Sequence, residues 1–166
     1  MRKRGLNNKG QFQISFGMIF SIILIVIFLF VAVYAIYSFL KLQCTWSSGA
    51  FIDSLKKQVN SVFASSGQNV KFEGSLKNCK VEYVCFFKAD EKINGSYENI
   101  GKGFYQKKIE NNLYFYPPEK ANVLSVKIEH INMEAFASNP QCFKVDNGNV
   151  EMKLSKGTNE ELVKVS

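Results

Sequence analysis

Cys44, Cys79, Cys85 and Cys142 are the residues of this chain best suited to covalent or metal chemistry. Thiolates either hold zinc in a tetrahedral set or oxidise in pairs, and spacing separates the two fates. A zinc site calls for a C-x2-C pair or several histidines. The chain has no such pair, and His130 is its only histidine. An even number of cysteines, all following a long apolar run, fits disulfides in an oxidising compartment better than metal. Cys85 (in Val84-Cys85-Phe86) and Cys142 (in Gln141-Cys142-Phe143) both sit in strand-like runs, so a bridge between them would staple distant strands. Closing so long a loop contributes about 4 kcal/mol in the chain-entropy model. Cys79 could then meet Cys44. Four cysteines allow three pairings, and spacing leaves the choice open, an intermolecular bond through Cys44 included.

Other chemistry is sparse. No G-x-S-x-G, H-E-x-x-H, Walker or G-x-G-x-x-G pattern occurs, and Gly101-Lys102-Gly103 is too short for a phosphate loop. His130 lies in Lys127-Ile128-Glu129-His130-Ile131, which reads as a half-buried strand. Glu129 would point to the opposite face, so the two make no acid–base pair. Without such a constellation we expect no enzyme, metal or cofactor. Asn94-Gly95-Ser96 is an N-x-S glycosylation sequon.

The charge of +7 suggests nucleic acid until its distribution is seen. Arg2, Lys3, Arg4 and Lys9 lie in the first ten positions without an acid. The remaining seventeen lysines and 14 acids are interspersed. Both arginines are in that basic flank, so bidentate phosphate recognition is absent elsewhere. A basic flank beside an apolar span is an orientation signal, and nucleic acid is not an expected partner.

Between Lys9 and Lys41 no charged residue occurs. A bilayer core needs about twenty helical residues, whereas a cleaved secretory signal has an apolar region of only about 7–15. The stretch therefore reads as a retained transmembrane helix. The basic flank places the N-terminus in the cytoplasm and the bulk of the chain outside. Tyr34, Tyr37 and Trp46 mark the outer end, where amphipathic rings favour the interface. Gly17, Ser21, Ala32, Ala35 and Ser38 would permit close helix contacts.

A short basic leader, then Lys9-Gly10, then Gln11 and a long uncharged helix resembles the N-terminus of archaeal type IV pilins. The resemblance covers about the first forty residues. It implies cleavage by a prepilin-type membrane peptidase between Gly10 and Gln11, contact with pilus assembly machinery, and self-association of the apolar helix in a filament. Pilins usually carry Glu at the fifth mature position; here it is Ser15. Laid instead on the archaeal pattern Gln-x-Ser-x-Glu at Gln13-Ile14-Ser15-Phe16-Gly17, the acid is replaced by Gly17. The start also resembles small uncharacterised archaeal membrane proteins beginning with Lys-Gly-Gln and Ser-Phe-Gly-Met-Ile-Phe.

Beyond Leu42, Phe51, Leu55, Val59, Val62 and Phe63 recur at helical spacing, forming one apolar face that ends near Ser65-Ser66-Gly67. Ser47-Ser48-Gly49 either breaks this helix from the membrane span or is carried within one long helix. The face would pack on a β-sheet, as the resemblance to pilins implies, or lie on the membrane surface. After Gly67, NVKFEGS, KVEYVCFFK, NLYFYPP, LSVKIEHINM and QCFKVDNGNVEMKL read as strands, the third closed by Pro117-Pro118. Asp146-Asn147-Gly148-Asn149 predicts a hairpin between its flanking strands. Residues 89–103 read as an exposed loop, and the tail from Thr158 as a strand or helical turn.

The expected organisation is a basic cytoplasmic leader (1–10), a transmembrane helix (11–42), an amphipathic helix (43–66) and an extracytoplasmic β-rich domain (67–166). The fold class is α+β, a long N-terminal helix followed by a small antiparallel domain stapled by disulfides. The expected role is a pilin-like surface protein of the cell membrane that contacts lipid and its own copies. The alternative is a permanently anchored single-pass protein whose outer domain binds a partner.

Overall fold

The structure, a computed structural model, describes residues 16–65, 67–77, 79–105 and 111–166. The chain divides into two compact units, one reaching to Phe39 and the other running from Leu40 to Ser166. A single helix, α1 (Phe16–Ala64), belongs in part to each. Ser47-Ser48-Gly49 does not interrupt it. A mid-helix Gly costs about 1 kcal/mol relative to Ala. Beside it, buried Ser48 donates from Oγ to the Ala121 carbonyl oxygen at 3.0 Å, which ties this turn of the helix into the core. In the first unit all described residues are exposed and apolar or small.

The second unit holds β1 (Gln68–Ser75), β2 (Tyr83–Phe86), α2 (Glu98–Tyr105), β3 (Leu113–Tyr116), α3 (Pro118–Ala121), β4 (Ser125–Val126), a 3-10 turn (Met133–Ala135), β5 (Gln141–Lys144), β6 (Asn149–Lys156) and β7 (Lys164–Val165). They form two antiparallel sheets, ordered β1-β6-β7 and β4-β3-β2-β5. In β6, buried Val150, Met152 and Leu154 alternate with exposed Glu151 and Lys153, the pattern of a sheet wet on one face. β2 and β3 are buried on both faces. Val84, Phe86, Leu113 and Phe115 join the main core, while Cys85, Tyr114 and Cys142 join a second cluster under Phe104 of α2.

The helical stripe read from the sequence forms one wall of the main core. Phe51, Leu55, Val59 and Val62 are buried, with Phe63 at its margin. Phe51 meets both sheets, its ring 5.6 Å from that of Phe72 on β1 and 5.9 Å from that of Phe115 on β3. Packing on sheets, rather than on a membrane surface, is therefore the fate of this face.

Three expectations need correction. The Asp146–Asn149 turn forms, with Asn147 and Gly148 at positive φ, yet its flanking strands do not make a hairpin. β5 pairs with β2 and β6 with β1, so the turn carries the chain from one sheet to the other. Sequence reads the turn correctly but says nothing of which partner outcompetes the local one. Residues 89–103 are not all loop, because α2 begins at Glu98. Its stripe of Tyr97, Ile100 and Phe104 was hidden by Gly101 and Gly103, and Glu98 and Lys102 add an i,i+4 ion pair.

Third, LSVKIEHINM is not one strand: only Ser125 and Val126 in it are strand. At Ile128 the Asn112 side chain replaces a strand partner. Its Oδ1 accepts from Ile128 N at 2.7 Å and its Nδ2 donates to Ile128 O at 2.8 Å. His130 then turns the chain at φ 64°. The tail, left open between strand and helical turn, supplies β7.

Candidate functional site

The described part of the apolar helix is a continuous surface. Every residue from 16 to 40 is exposed, including Tyr34 (75 %) and Tyr37 (72 %). The helix is long and apolar enough to cross a membrane. Its polar groups are compatible with such surroundings. Ser21, for instance, donates its hydroxyl to the Gly17 carbonyl at 2.8 Å, one turn back, so that donor is satisfied within the helix. The processing candidates Lys9, Gly10 and Gln11, and the anomalous Ser15, lie outside the described residues.

The four cysteines pair as Cys44–Cys79 and Cys85–Cys142, and no cysteine is free. Cys85 and Cys142 stand directly opposite each other in the β2–β5 ladder. Cys44 and Cys79 join α1 to the segment after β1. Around that bridge the packing is dense, with Cys44 Sγ 3.0 Å from the Lys120 carbonyl oxygen and Ser48 Oγ 3.3 Å from Cys79 Sγ. Ser48 is a key residue of this junction that sequence reading passed over. Its only signal was its place one helical turn after Cys44. Two bridges in one small domain fit an oxidising compartment.

Among the described residues no group of three or more His, Cys, Asp or Glu side chains converges. His130 stacks flat on Phe63, ring centroids 3.7 Å apart, while Lys156 Nζ lies 4.6 Å from the same ring and donates to Phe63 O. These contacts close the C-terminal end of α1 and hold no reactive geometry.

No protein-family model matches this chain, and no curated protein or solved structure matches it significantly.

The Asn94 sequon lies on an exposed turn, with Asn94, Gly95 and Ser96 all at the surface. Gly95 takes φ +87°, and a Cβ there would come within 2.6 Å of Ser138 Cβ. Asn94 Oδ1 accepts from Asn139 N at 2.8 Å, so the side chain is held in place. Buried Asn139, another residue missed from sequence, grips both backbone groups of Lys88 at 2.9 Å. The Lys88 ammonium pairs with Glu134 and Glu91, and these carboxylates raise its pKa above the usual lysine value. The whole is a structural brace for the loop that displays the sequon.

Proposed function

We propose that this chain is a pilin-like cell-surface structural protein, a candidate subunit of a type IV pilus-like filament assembled through its N-terminal apolar helix. The supporting observation is the single uninterrupted helix α1. Residues 16–40 expose mostly apolar side chains, whereas Cys44, Ser48, Phe51, Leu55, Val59 and Val62 line the domain core. Such an apolar surface calls for cover by lipid or by copies of itself. In this reading the N-terminus is cytoplasmic, the domain is outside, and Asn94 is a glycan acceptor.

A second reading has its own support: Ser15, or Gly17 in the alternative register, stands where pilins usually carry Glu. It makes the chain a permanently anchored single-pass protein whose outer domain binds a partner. Mass spectrometry of the N-terminal peptide from native membranes decides. A chain beginning at Gln11 supports filament assembly. One beginning at Met1 or Arg2 removes the processing step and leaves the anchored form.

A further inference from the structure

The Cys44–Cys79 bridge gathers segments that are remote in sequence around one level of α1. Cys79 brings the loop carrying Lys77 and Lys80, and α3 arrives with the Lys120 carbonyl against Cys44 Sγ. Asn122 adds a bond from Nδ2 to Thr45 Oγ1 at 3.3 Å. Across residues 40–48, 76–80 and 117–122 the sequence holds four lysines and one acid, Glu119. Lys77, Lys80 and Lys120 are exposed, and none forms an ion pair among the described residues.

Trp46 shares that level but not that side. Cys44 and Ser48 face the domain, and Trp46, about 200° round the helix from Cys44, is 78 % exposed. Lysines therefore stand on one side of α1 and an indole on the other. A compact protein partner would meet one side. A planar layer surrounding the helix meets both, and an interface that is apolar below and anionic above suits an indole and ammonium groups together. The length of the apolar surface agrees. Residues 16–40 rise about 37 Å at 1.5 Å per residue, more than the roughly 30 Å of a hydrocarbon core. A helix that long tilts to bury its excess, which lowers its outer end toward the headgroups.

We propose that Trp46, Lys77, Lys80 and Lys120 form a collar that seats the domain on anionic lipid headgroups. This rests on the reading that α1 crosses a membrane, whether or not the leader is cut. Trp46 is the only tryptophan in the chain, so its fluorescence reports this site alone.

The test uses the full chain, one copy per nanodisc, with brominated lipids in either zwitterionic or partly anionic bilayers. The expected result is blue-shifted Trp46 emission with interfacial quenching that is stronger in anionic discs. That excess should disappear at high salt and in the K77Q/K80Q/K120Q variant. Quenching that is absent, or indifferent to lipid charge, salt and the three substitutions, overturns the collar. A blue shift without lipid quenching assigns the site to protein contact and overturns it as well. Flotation with liposomes separates this from the underlying reading: a chain that floats yet shows no anionic excess refutes only the collar. A chain that fails to float refutes the membrane span itself.

Discussion

The ring of Phe51 on α1 fills the space that a side chain at Gly74 of β1 would occupy. A Cβ built at Gly74 would lie 2.3 Å from Phe51 Cδ2 and Cε2 and 2.9 Å from Phe72 Cε1. This contact of helix and sheet therefore depends on a residue with no side chain. Gly74→Ala should destabilise the domain by about 1–3 kcal/mol, the usual cost of overpacking. Urea unfolding of the full chain in detergent, followed by near-UV circular dichroism, would measure it. A variant as stable as the parent would mean that Phe51 can move aside freely.

The two parts of α1 should respond differently to the same change. Leu55 is fully buried, and Leu55→Ala should cost about 2–5 kcal/mol. Leu24 is exposed, and Leu24→Ala should leave the domain's unfolding midpoint unchanged while weakening membrane retention or self-association. Equal loss of domain stability from both substitutions would contradict this division of labour.

That division was legible in the sequence because each part of the helix carries its own pattern. Residues 16–40 are apolar on every side, and residues 51–63 are apolar on one. The strands of β1, β2, β3, β5 and β6 were legible for similar reasons. What could not be read was partner choice. Val150 pairs beside Gly74 rather than folding back on β5, and Asn112 takes the place of a strand at Ile128. Both are decided by residues far away in the chain. Ser48 and Asn139 were missed because a lone buried polar residue carries no periodic mark.

The two disulfides close loops that do not overlap, with separations of 35 and 57 residues. Each should stabilise the domain by about 4 kcal/mol in the chain-entropy model, and nearly independently of the other. Paired Cys→Ala variants, singly and together, followed by urea unfolding, would check additivity. Non-reducing peptide mapping should recover Cys44 with Cys79 and Cys85 with Cys142. Crossed pairs would require a different packing of the domain.

Glu160 provides a test by pH. The Lys164 ammonium, then the Gly157 backbone N–H, holds its carboxyl below the usual value. A carboxylate with a depressed folded pKa stabilises the fold above its unfolded pKa of about 4.3. That contribution is lost as pH falls through the lower, folded value. Glu160→Gln should therefore lower stability by a constant amount across the neutral-to-basic range and flatten its fall below about pH 5. A variant that retains the full acid sensitivity would place its origin elsewhere.

Replacement of Gly10 tests the leader. On the filament reading Gly10→Val should block processing and trap full-length chains in the membrane, as judged by mobility on a denaturing gel and by surface shearing. Unchanged processing and assembly would dispose of the cleavage site between Gly10 and Gln11.

The pairing of β1 with β6 has a consequence for biogenesis. Their registered partners, such as Phe72 and Met152, are about eighty residues apart in the chain, and contacts that distant form late because the intervening loop must close first. A growing chain would therefore leave the row of Phe51, Leu55, Val59 and Val62 incompletely covered until β6 arrives. Such a half-built core is prone to aggregate when chains meet freely. On the proposal that the apolar segment lies in a bilayer, tethering each nascent domain by it would keep neighbours apart during that delay, so the helix would act as an isolating leash.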